Sequence, residues 1–317
     1  MIEVQVNRAS ALFRQAADSF NQAQSAQSAQ SEATELEQPA FSYWCKFYGE
    51  NPDEREDSIK LIEPEIYNKL ESKGSVSKLL KKHGIEDVFP ATFMSVKEAI
   101  AYVKDTPKDT KNSVNIWFVK PFHLSGGRDI QVVSTAELPS FDLPKFNIIQ
   151  AGIENIQLIE GKKFTARVYL LIWNKRVYLF DDGFALIHAP TYEAGSTDYS
   201  VQVDHRGYQT EKSAVEMKLM SDLPQFDGMM TQAKASLLQM MPVFEGAIAA
   251  SSEKRYILLG LDFLLLKDDN IKFIEINAIP NFIHSKRTNQ LLNVPFFEHT
   301  MRVIYGLGSD RFSALSV

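Results

Sequence analysis

The chain has 317 residues, of which 44% are hydrophobic and 23% are charged, and its formal net charge is −6. These values are typical of a globular protein large enough for two or three lobes, and the negative balance argues against nucleic acid or an anionic membrane surface as a partner. The single cysteine, Cys45, rules out an intramolecular disulfide, and no signal peptide or membrane-spanning apolar run is recognisable, so we expect a cytoplasmic protein.

Residues 1–38 differ in composition from the rest of the chain. They contain a Gln/Ala/Ser-rich tract with almost no bulky side chain. Such a tract cannot bury enough surface to offset the entropy lost on ordering, so a flexible or loosely helical leader is predicted over 1–38. The stretch "ASALFRQAADSF" (9–20) has a second interpretation, a short amphipathic helix that docks elsewhere, but we favour a tail without a role.

After the leader, the sequence predicts helices followed by a strand pair. A charged helical stretch ends at Gly84, and Ser95 with Glu98 three residues on forms a capping box that begins another helix. Two strands follow, 115–122 and 130–134, and the loop between them contains two glycines. Strand, glycine-bearing turn and strand argue against a dinucleotide-binding fold, in which the glycines open a helix.

The second half of the chain begins with two alternating strands, 164–173 and 176–183. Asn174 and Lys175 between them suit a two-residue hairpin loop. The polar segment 191–225 is predicted to be mobile. Further elements are a helix near 228–250, a hairpin at 260–277 and a helix near 295–305. Antiparallel hairpins mixed with helices predict an α+β protein of several lobes.

The hairpin at the C-terminal end carries polar side chains inside apolar strands. If residues 268–269 form a two-residue loop, Asp262 lies directly opposite Glu275. If residues 269–270 form it, Asp262 lies opposite Asn277, with Glu275 on the diagonal. Either register places these three side chains on one face, because residues two apart on a strand share a side.

This face has two interpretations. Carboxylates facing each other across a strand pair repel, and the neighbouring Phe263, Ile274 and Ile276, expected to point into the core, imply burial. A divalent cation would compensate the charge, and oxygen ligands suit Mg²⁺ or Mn²⁺. The alternative is a solvent-facing strand edge with scattered acids. We favour the metal.

Together these features resemble the ATP-grasp superfamily and, within it, the tubulin–tyrosine ligase-like family, from about Lys78 to Ile283. The stretches that carry the resemblance are "WFVKP" (117–121), "GGRDI" (126–130), "IIQAGI" (148–153), "KKFTARVYLLI" (162–172), "VYLFDDG" (177–183), "LDFLLL" (261–266) and "IEINAIPN" (274–281). The resemblance implies an ATP-grasp fold, with antiparallel sheets and helices in two to three lobes that clasp a nucleotide. The domains implied are an N-terminal domain at 39–92, a central domain at 93–152 and a C-terminal domain at 153–317.

The resemblance also implies roles for matching residues. A strand lysine reaches the ATP phosphates, a glycine turn covers them and a hinge faces the adenine. In this sequence they are Lys120; Gly126, Gly127 and Arg128; and Gln150, Ala151, Gly152 and Ile153. Lys163, which also binds the nucleotide, and Arg167 are the implied catalytic residues, and Arg167 would stabilise the transferring phosphoryl group or a substrate carboxylate. Asp262, Glu275 and Asn277 would hold Mg²⁺ or Mn²⁺.

The sequence departs from the family pattern at several positions. Thr165 stands where the family usually has aspartate, and Leu186 stands where it typically has arginine. Asp129, Gly126 and Ala151 also replace the usual residues. The nucleotide and metal residues remain largely intact, so an altered acceptor and a loss of activity both stay open.

The resemblance implies an ATP-dependent carboxylate–amine ligase that forms an amide through an acylphosphate. Its partners would be ATP with a peptide or protein acceptor and an amino acid, or with a small acid and an amine. A small-molecule ligase or kinase is the first alternative. A catalytically inactive nucleotide-binding module is the second.

Overall fold

The computed structural model describes residues 2–8, 10–28, 38–46, 49, 55–106, 114–208, 213–282 and 284–315. The strands within them are β1 (Val4–Val6), β2 (Phe41–Tyr43), β3 (Lys60–Leu61), β4 (Thr92–Phe93), β5 (Ile116–Pro121), β6 (Gln131–Ser134), β7 (Asn147–Ala151), β8 (Leu158–Ile159), β9 (Lys162–Trp173), β10 (Arg176–Ile187), β11 (Glu216–Leu219), β12 (Arg255–Leu265), β13 (Ile271–Ala278) and β14 (Phe312–Leu315). The helices are α1 (Ser10–Ser28), α2 (Pro64–Glu71), α3 (Lys73–His83), α4 (Val96–Asp105), α5 (Tyr199–Gln202), α6 (Phe226–Gln239), α7 (Met241–Ala250), α8 (Lys286–Thr288) and α9 (Val294–Ile304). The predicted α+β class is confirmed.

The largest sheet has the strand order β11-β10-β9-β12-β13 and curls into a half-barrel. Three further strands join it, because β14 pairs with β10, β3 with β12 and β8 with β9. The C-terminal half of β9 is buried on both faces: Leu170, Leu171 and Ile172 have no exposed surface. Because this apolar half of β9 is packed in the core, it fixes the positions of the polar residues at the N-terminal end of the same strand.

A smaller sheet, with the order β4-β7-β5-β6, lies beside helix α4. Its β5 and β6 are antiparallel, as the predicted strand, glycine turn and strand require. Half of the predicted capping box is present, since the Ser95 hydroxyl accepts from the Glu98 N–H; the Glu98 carboxylate accepts from that hydroxyl rather than from the Ser95 N–H. Trp117 on β5 and Ala99 on α4 are fully buried between the two layers.

The predicted loop is correct for one of the two hairpins and wrong for the other. Trp173 pairs with Arg176, and Asn174 and Lys175 have φ of 45° and 62°, the geometry of a two-residue primed turn. That prediction is confirmed. The hairpin of β12 and β13, which we call the acidic hairpin, has a three-residue loop instead, and both two-residue alternatives were wrong.

The acidic hairpin nevertheless places Asp262 opposite Glu275. Phe263 pairs with Phe273, so one extra residue, Ile274, forms a bulge in β13 and shifts the pairing by one position. The bulge also corrects a second prediction. Ile274 lies partly exposed toward a cavity rather than in the core, whereas Phe263 and Ile276 are buried as expected.

The N-terminal segment is not a tail without a role. Residues 10–28 form helix α1, and Phe13, Ala16 and Phe20 are buried against the rest of the protein. The Phe13 ring stacks on Phe297 of α9 with 3.8 Å between centroids. The alternative of a docked amphipathic helix is therefore the correct one for this part, because apolar residues at helical spacing cover α9. The rest of the proposed leader, 29–37, lies outside the described residues.

Two other expectations are refined. The predicted helix at 228–250 is two helices, α6 and α7, which meet at Met240 just before Pro242. The polar segment 191–225 contains helix α5 and strand β11 in its described part. Among the described residues, no helix combines the length and the apolar character needed to cross a bilayer. The domain boundaries stay predictions.

Candidate active site

A cavity of about 730 Å³ opens between the two larger sheets. Of the residues proposed from the sequence, those that line it are Lys120, Gly126, Gly127, Arg128, Gln150, Ala151, Ile153, Lys163, Arg167, Asp262, Glu275 and Asn277. Gly152 is the exception: a Cβ there would meet Ile116 Cγ1 at 2.6 Å, so its place demands glycine for packing against β5. The N–H groups of Ala151 and Gly152 donate to the carbonyls of Ala91 and Ile116, so these two are used inside the protein.

Two buried lysines face the cavity from different sheets. The Lys120 Nζ on β5 donates to Gln150 Oε1 at 2.6 Å. The Lys163 Nζ on β9 donates to the Gln202 carbonyl at 2.8 Å. Both ammonium groups lie near the Phe118 ring, at 5.5 and 5.1 Å from its centroid.

Burial perturbs the pKa of both lysines. Desolvation lowers the pKa of Lys120 to about 8, and desolvation with repulsion from Lys120 lowers the pKa of Lys163 to about 7. Within the described residues, neither ammonium forms an ion pair with a carboxylate. A site of this kind stabilises a bound anion, because the anion supplies the countercharge that the protein lacks.

Arg167 and Asp262 form the central ion pair. Arg167 Nε and Nη2 donate to the two Asp262 oxygens at 2.5 and 2.8 Å, a bidentate contact between neighbouring strands β9 and β12. Burial alone would lower the pKa of Arg167, but Asp262 raises it above its ordinary value, so the guanidinium stays charged. Gly260 makes room for it, since a Cβ there would lie 3.1 Å from Arg167 Cδ.

Glu275 pairs with Lys73, which sequence reasoning missed. The Lys73 Nζ, buried at the start of helix α3, donates to Glu275 Oε1 at 2.8 Å and to the Leu124 carbonyl at 2.7 Å. The helix dipole disfavours a lysine in the first turn of a helix. This unfavourable position is the sequence feature that could have drawn attention to Lys73. The pair also weakens the sequence argument for the metal, because Arg167 and Lys73 already supply countercharge to the facing carboxylates of Asp262 and Glu275.

The three proposed metal ligands share one face of the acidic hairpin. The Asn277 amide nitrogen donates to Asp262 Oδ2 at 3.2 Å, which joins the last ligand to the first. The described residues contain no group of three or more His, Cys, Asp and Glu side chains that would enclose a metal by themselves. Two carboxylates and one amide fit Mg²⁺, which keeps waters and takes its remaining ligands from phosphates.

The glycine turn is fastened to helix α5. Gly126 and Gly127 both have positive φ, 69° and 73°. The Tyr199 hydroxyl donates to the Gly127 carbonyl at 2.8 Å, and a Cβ on Gly127 would lie 3.0 Å from both that hydroxyl and Val203. The polar segment that was expected to be mobile therefore positions the turn.

His188 is a further cavity residue that the sequence did not single out. It directly follows the last residue of β10, two positions beyond Leu186, and both side chains line the cavity. Burial lowers the pKa of His188 to about 3, so the ring is neutral. Its Nδ1 has no hydrogen-bond partner among the described residues. The alternation of side chains along β10, continued by one residue, is the sequence feature that could have predicted the position of His188.

Residues 62–311 match the Tubulin-tyrosine ligase family. The chain belongs to this family. Membership implies an ATP-grasp fold, and the ligases of this family are ATP-dependent C–N ligases. Residues 1–61, including α1, lie outside the match.

Two relatives with assigned names are distant. Tubulin glycylase 3D of Tetrahymena thermophila is 22% identical over 241 residues, which cover 67% of this chain and 23% of that protein. The probable tubulin polyglutamylase TTLL9 of Mus musculus is 27% identical over 194 residues, which cover 51% of this chain and 40% of that protein. The chain thus matches less than half the length of either relative.

Proposed function

We propose that this protein is an ATP-dependent carboxylate–amine ligase that adds an amino acid to a peptide or protein through an acylphosphate. The observation that carries the proposal is the pair of buried lysines, Lys120 and Lys163, which face one cavity and form no ion pair with a carboxylate in the part of the chain that the structure describes. Family membership supports it, and the named relatives suggest a tubulin-like acceptor.

ATP would lie along the cavity between the two sheets, clasped by the proposed central and C-terminal domains. Lys120 and Lys163 would bind the phosphates, and the glycine turn would cover them with backbone N–H groups. Within the hinge, the adenine edge would meet Ile153, since the N–H groups of Ala151 and Gly152 are already used and the Gln150 amide is bonded to Lys120 and Thr92.

The acidic hairpin would hold Mg²⁺ or Mn²⁺ through Asp262, Glu275 and Asn277. When bound, the metal would neutralise phosphate charge and orient the phosphates. Arg167, freed from part of its contact with Asp262, would stabilise the charge on the transferring γ-phosphoryl group. Lys73 would hold Glu275 in place through its ammonium group.

The reaction needs positioning and charge stabilisation rather than a protein nucleophile. A carboxylate oxygen of the acceptor attacks the γ-phosphorus and ADP leaves, which gives the acylphosphate. The amine nitrogen then attacks the acyl carbon, the bond from that carbon to the phosphate oxygen breaks, and phosphate departs with the electron pair. The amine loses a proton and the product is an amide.

The test is Glu275→Gln, which removes a proposed metal ligand while keeping its size. We expect ATP-dependent incorporation of glycine or L-glutamate into a glutamate-rich tubulin-tail peptide to fall at least a hundredfold, with the circular dichroism spectrum unchanged. Glu65→Gln, on the exposed face of helix α2, makes the same chemical change outside the cavity and should keep full activity. Full activity of Glu275→Gln in Mg²⁺ would refute the metal assignment.

Hydroxylamine separates the alternatives. With ATP and a carboxylic acid substrate, only an enzyme that forms an acylphosphate yields the hydroxamate. A kinase that phosphorylates a hydroxyl would release ADP without hydroxamate. An inactive nucleotide-binding module would bind ATP in a calorimeter and release no ADP over a long incubation.

A further inference from the structure

The first turn of helix α3 holds the segment that leads into the glycine turn. The Lys73 N–H donates to the Phe122 carbonyl at 3.0 Å, and the Lys73 Nζ donates to the Leu124 carbonyl at 2.7 Å. A Cβ on Gly74 would lie 2.8 Å from Phe122 Cζ, so this ring packs directly against the backbone of the helix. Because Leu124 precedes Gly126 by only two residues, helix α3 fixes one end of the glycine turn.

The same ammonium group reaches the acidic hairpin. The Lys73 Nζ donates to Glu275 Oε1 at 2.8 Å, and the two side chains are 7% and 20% exposed. A charge-assisted hydrogen bond with so little access to water is strong and is held in one geometry. One side chain therefore contacts both a proposed metal ligand and the backbone that leads into the glycine turn.

The contact with the turn segment distinguishes Lys73 from a simple countercharge. Compensation of the Glu275 carboxylate needs only the first contact, whereas the Leu124 carbonyl carries no net charge. The second contact makes the ammonium group a donor that two separate elements share. A movement of either acceptor therefore changes how firmly the ammonium group binds the other, and such a contiguous network is what energetic coupling between two sites requires.

We propose that Lys73 is a positioning residue that couples the metal site to the glycine turn. Its ammonium group orients Glu275 for the metal and at the same time holds Leu124, which keeps the turn in place over the phosphates. Coupling of this kind is reciprocal: a change at the turn alters metal binding, and a change at Glu275 alters the turn. The inference rests on the proposed ligase function and adds a physical link between two parts of its site.

Hydrogen exchange tests this link in the full chain without nucleotide or metal. Mass spectrometry follows the amides of residues 124–130. Glu275→Gln should speed their exchange by about fivefold, because a neutral amide holds the ammonium group less firmly and the contact with the turn segment then opens more often. Asp262→Asn makes the same chemical change on the neighbouring strand, where the partner is Arg167 rather than Lys73, and should leave the exchange of this segment unchanged.

A double substitution separates coupling from a general loss of stability. In Lys73→Met the segment should already exchange fast, and adding Glu275→Gln should change the rate by less than about twofold. Lys78→Met, on an exposed part of α3, should match the wild-type protein.

Three results would overturn the inference. They are unchanged or slower exchange of the segment in Glu275→Gln, equally fast exchange in Asp262→Asn, and an undiminished effect of Glu275→Gln in the Lys73→Met background. The comparison of Glu275→Gln with Asp262→Asn decides the question even if Lys73→Met does not fold.

Metal binding gives a measurement in the opposite direction. The affinity for Mn²⁺ is measured by electron paramagnetic resonance with a saturating non-hydrolysable ATP analogue. Gly127→Ala, which displaces the turn, should weaken Mn²⁺ binding by about threefold in the wild-type background and by a smaller factor in Lys73→Met. Equal factors in both backgrounds would overturn the inference. A protein that shows the coupled exchange but binds neither the analogue nor Mn²⁺ would instead refute the proposed function.

Discussion

At the scale of single residues, the cavity is organised by how each charge is compensated. Arg167 and Lys73 have carboxylate partners, whereas Lys120 and Lys163 are held by the Gln150 and Gln202 oxygens. A neutral oxygen holds a lysine in position without cancelling its charge. The two lysines therefore remain the groups with most to gain from a bound phosphate.

This difference predicts proton uptake when ATP binds. The pKa is about 8 for Lys120 and about 7 for Lys163 in the free protein, and bound phosphate should raise both. At pH 8 the lysines are partly deprotonated before binding and protonated after it, so about one proton should be taken up; at pH 6 both are already charged and uptake should vanish.

Calorimetric titrations in two buffers of different ionisation enthalpy measure this uptake directly. Lys163→Met should reduce it, whereas Lys82→Met, on an exposed part of α3, should not. Equal heats in both buffers at pH 8, after correction for dilution, would contradict the assignment of these lysines to the phosphates.

The sequence could predict the position of a site residue only where the alternation of side chains along a strand determines it. Asp262, Glu275 and Asn277 were foreseen on one face because a strand has a period of two. Lys73 was not, because its position depends on how the junction of α2 and α3 docks on the loop after β5. His188 followed the alternation of β10, but an isolated histidine carries no pattern of its own.

At the scale of elements, the glycine turn provides a matched pair of substitutions. Gly126 and Gly127 both have positive φ, so alanine at either position pays a similar backbone cost of about 1 kcal/mol. Only at Gly127 does a Cβ also crowd Tyr199 and Val203; at Gly126 it meets open space.

We therefore expect Gly127→Ala to weaken ATP binding more than Gly126→Ala, by roughly a further fivefold to tenfold, because the turn must move away from helix α5. Titration with ATP, and thermal unfolding of both variants without ATP, would measure the difference. Equal affinities in the two variants would show that the contact with α5 does not position the turn.

Elements that depend on residues adjacent in sequence were predicted correctly, whereas the loop of the hairpin that contains a β-bulge was not. The turn at Asn174 and Lys175 and the capping box at Ser95 depend on neighbouring residues alone. The loop of the acidic hairpin was wrong because a bulge at Ile274 has no clear sequence signature. Of the two pairings that the sequence left open, Asp262 with Glu275 is the one present, because the three-residue loop and the bulge offset each other in register.

At the scale of the whole molecule, helix α1 in the first part of the sequence packs on helix α9 in the last part. Its composition predicted a flexible leader, since a Gln/Ala/Ser tract offers little to bury. Only residues 21–28 of that tract lie in the described helix, and the first half of the helix has apolar residues on one face that cover α9. The error arose because composition was averaged over 1–38, while docking depends on a few positions and on a partner nearly three hundred residues away.

The last prediction concerns this connection. Phe13 has no exposed surface, stacks on Phe297 and lies 4.5 Å from the Tyr43 ring. Phe13→Ala should lower the free energy of unfolding by about 3–5 kcal/mol, because it removes a buried ring and leaves a cavity. Arg14→Ala, exposed on the same helix, should change it by less than about 0.5 kcal/mol.

Urea unfolding followed by tryptophan fluorescence and by far-ultraviolet circular dichroism tests this, because the two probes report different parts of the molecule. If α1 belongs to the same cooperative unit as the large sheet, both transitions should shift together in Phe13→Ala. A loss of helical signal at low urea, with the main transition unmoved, would mean that α1 detaches alone. Arg8, which lines the cavity beside the acidic hairpin, would then leave it with α1, while ATP binding, proposed for Lys120 and Lys163, should persist.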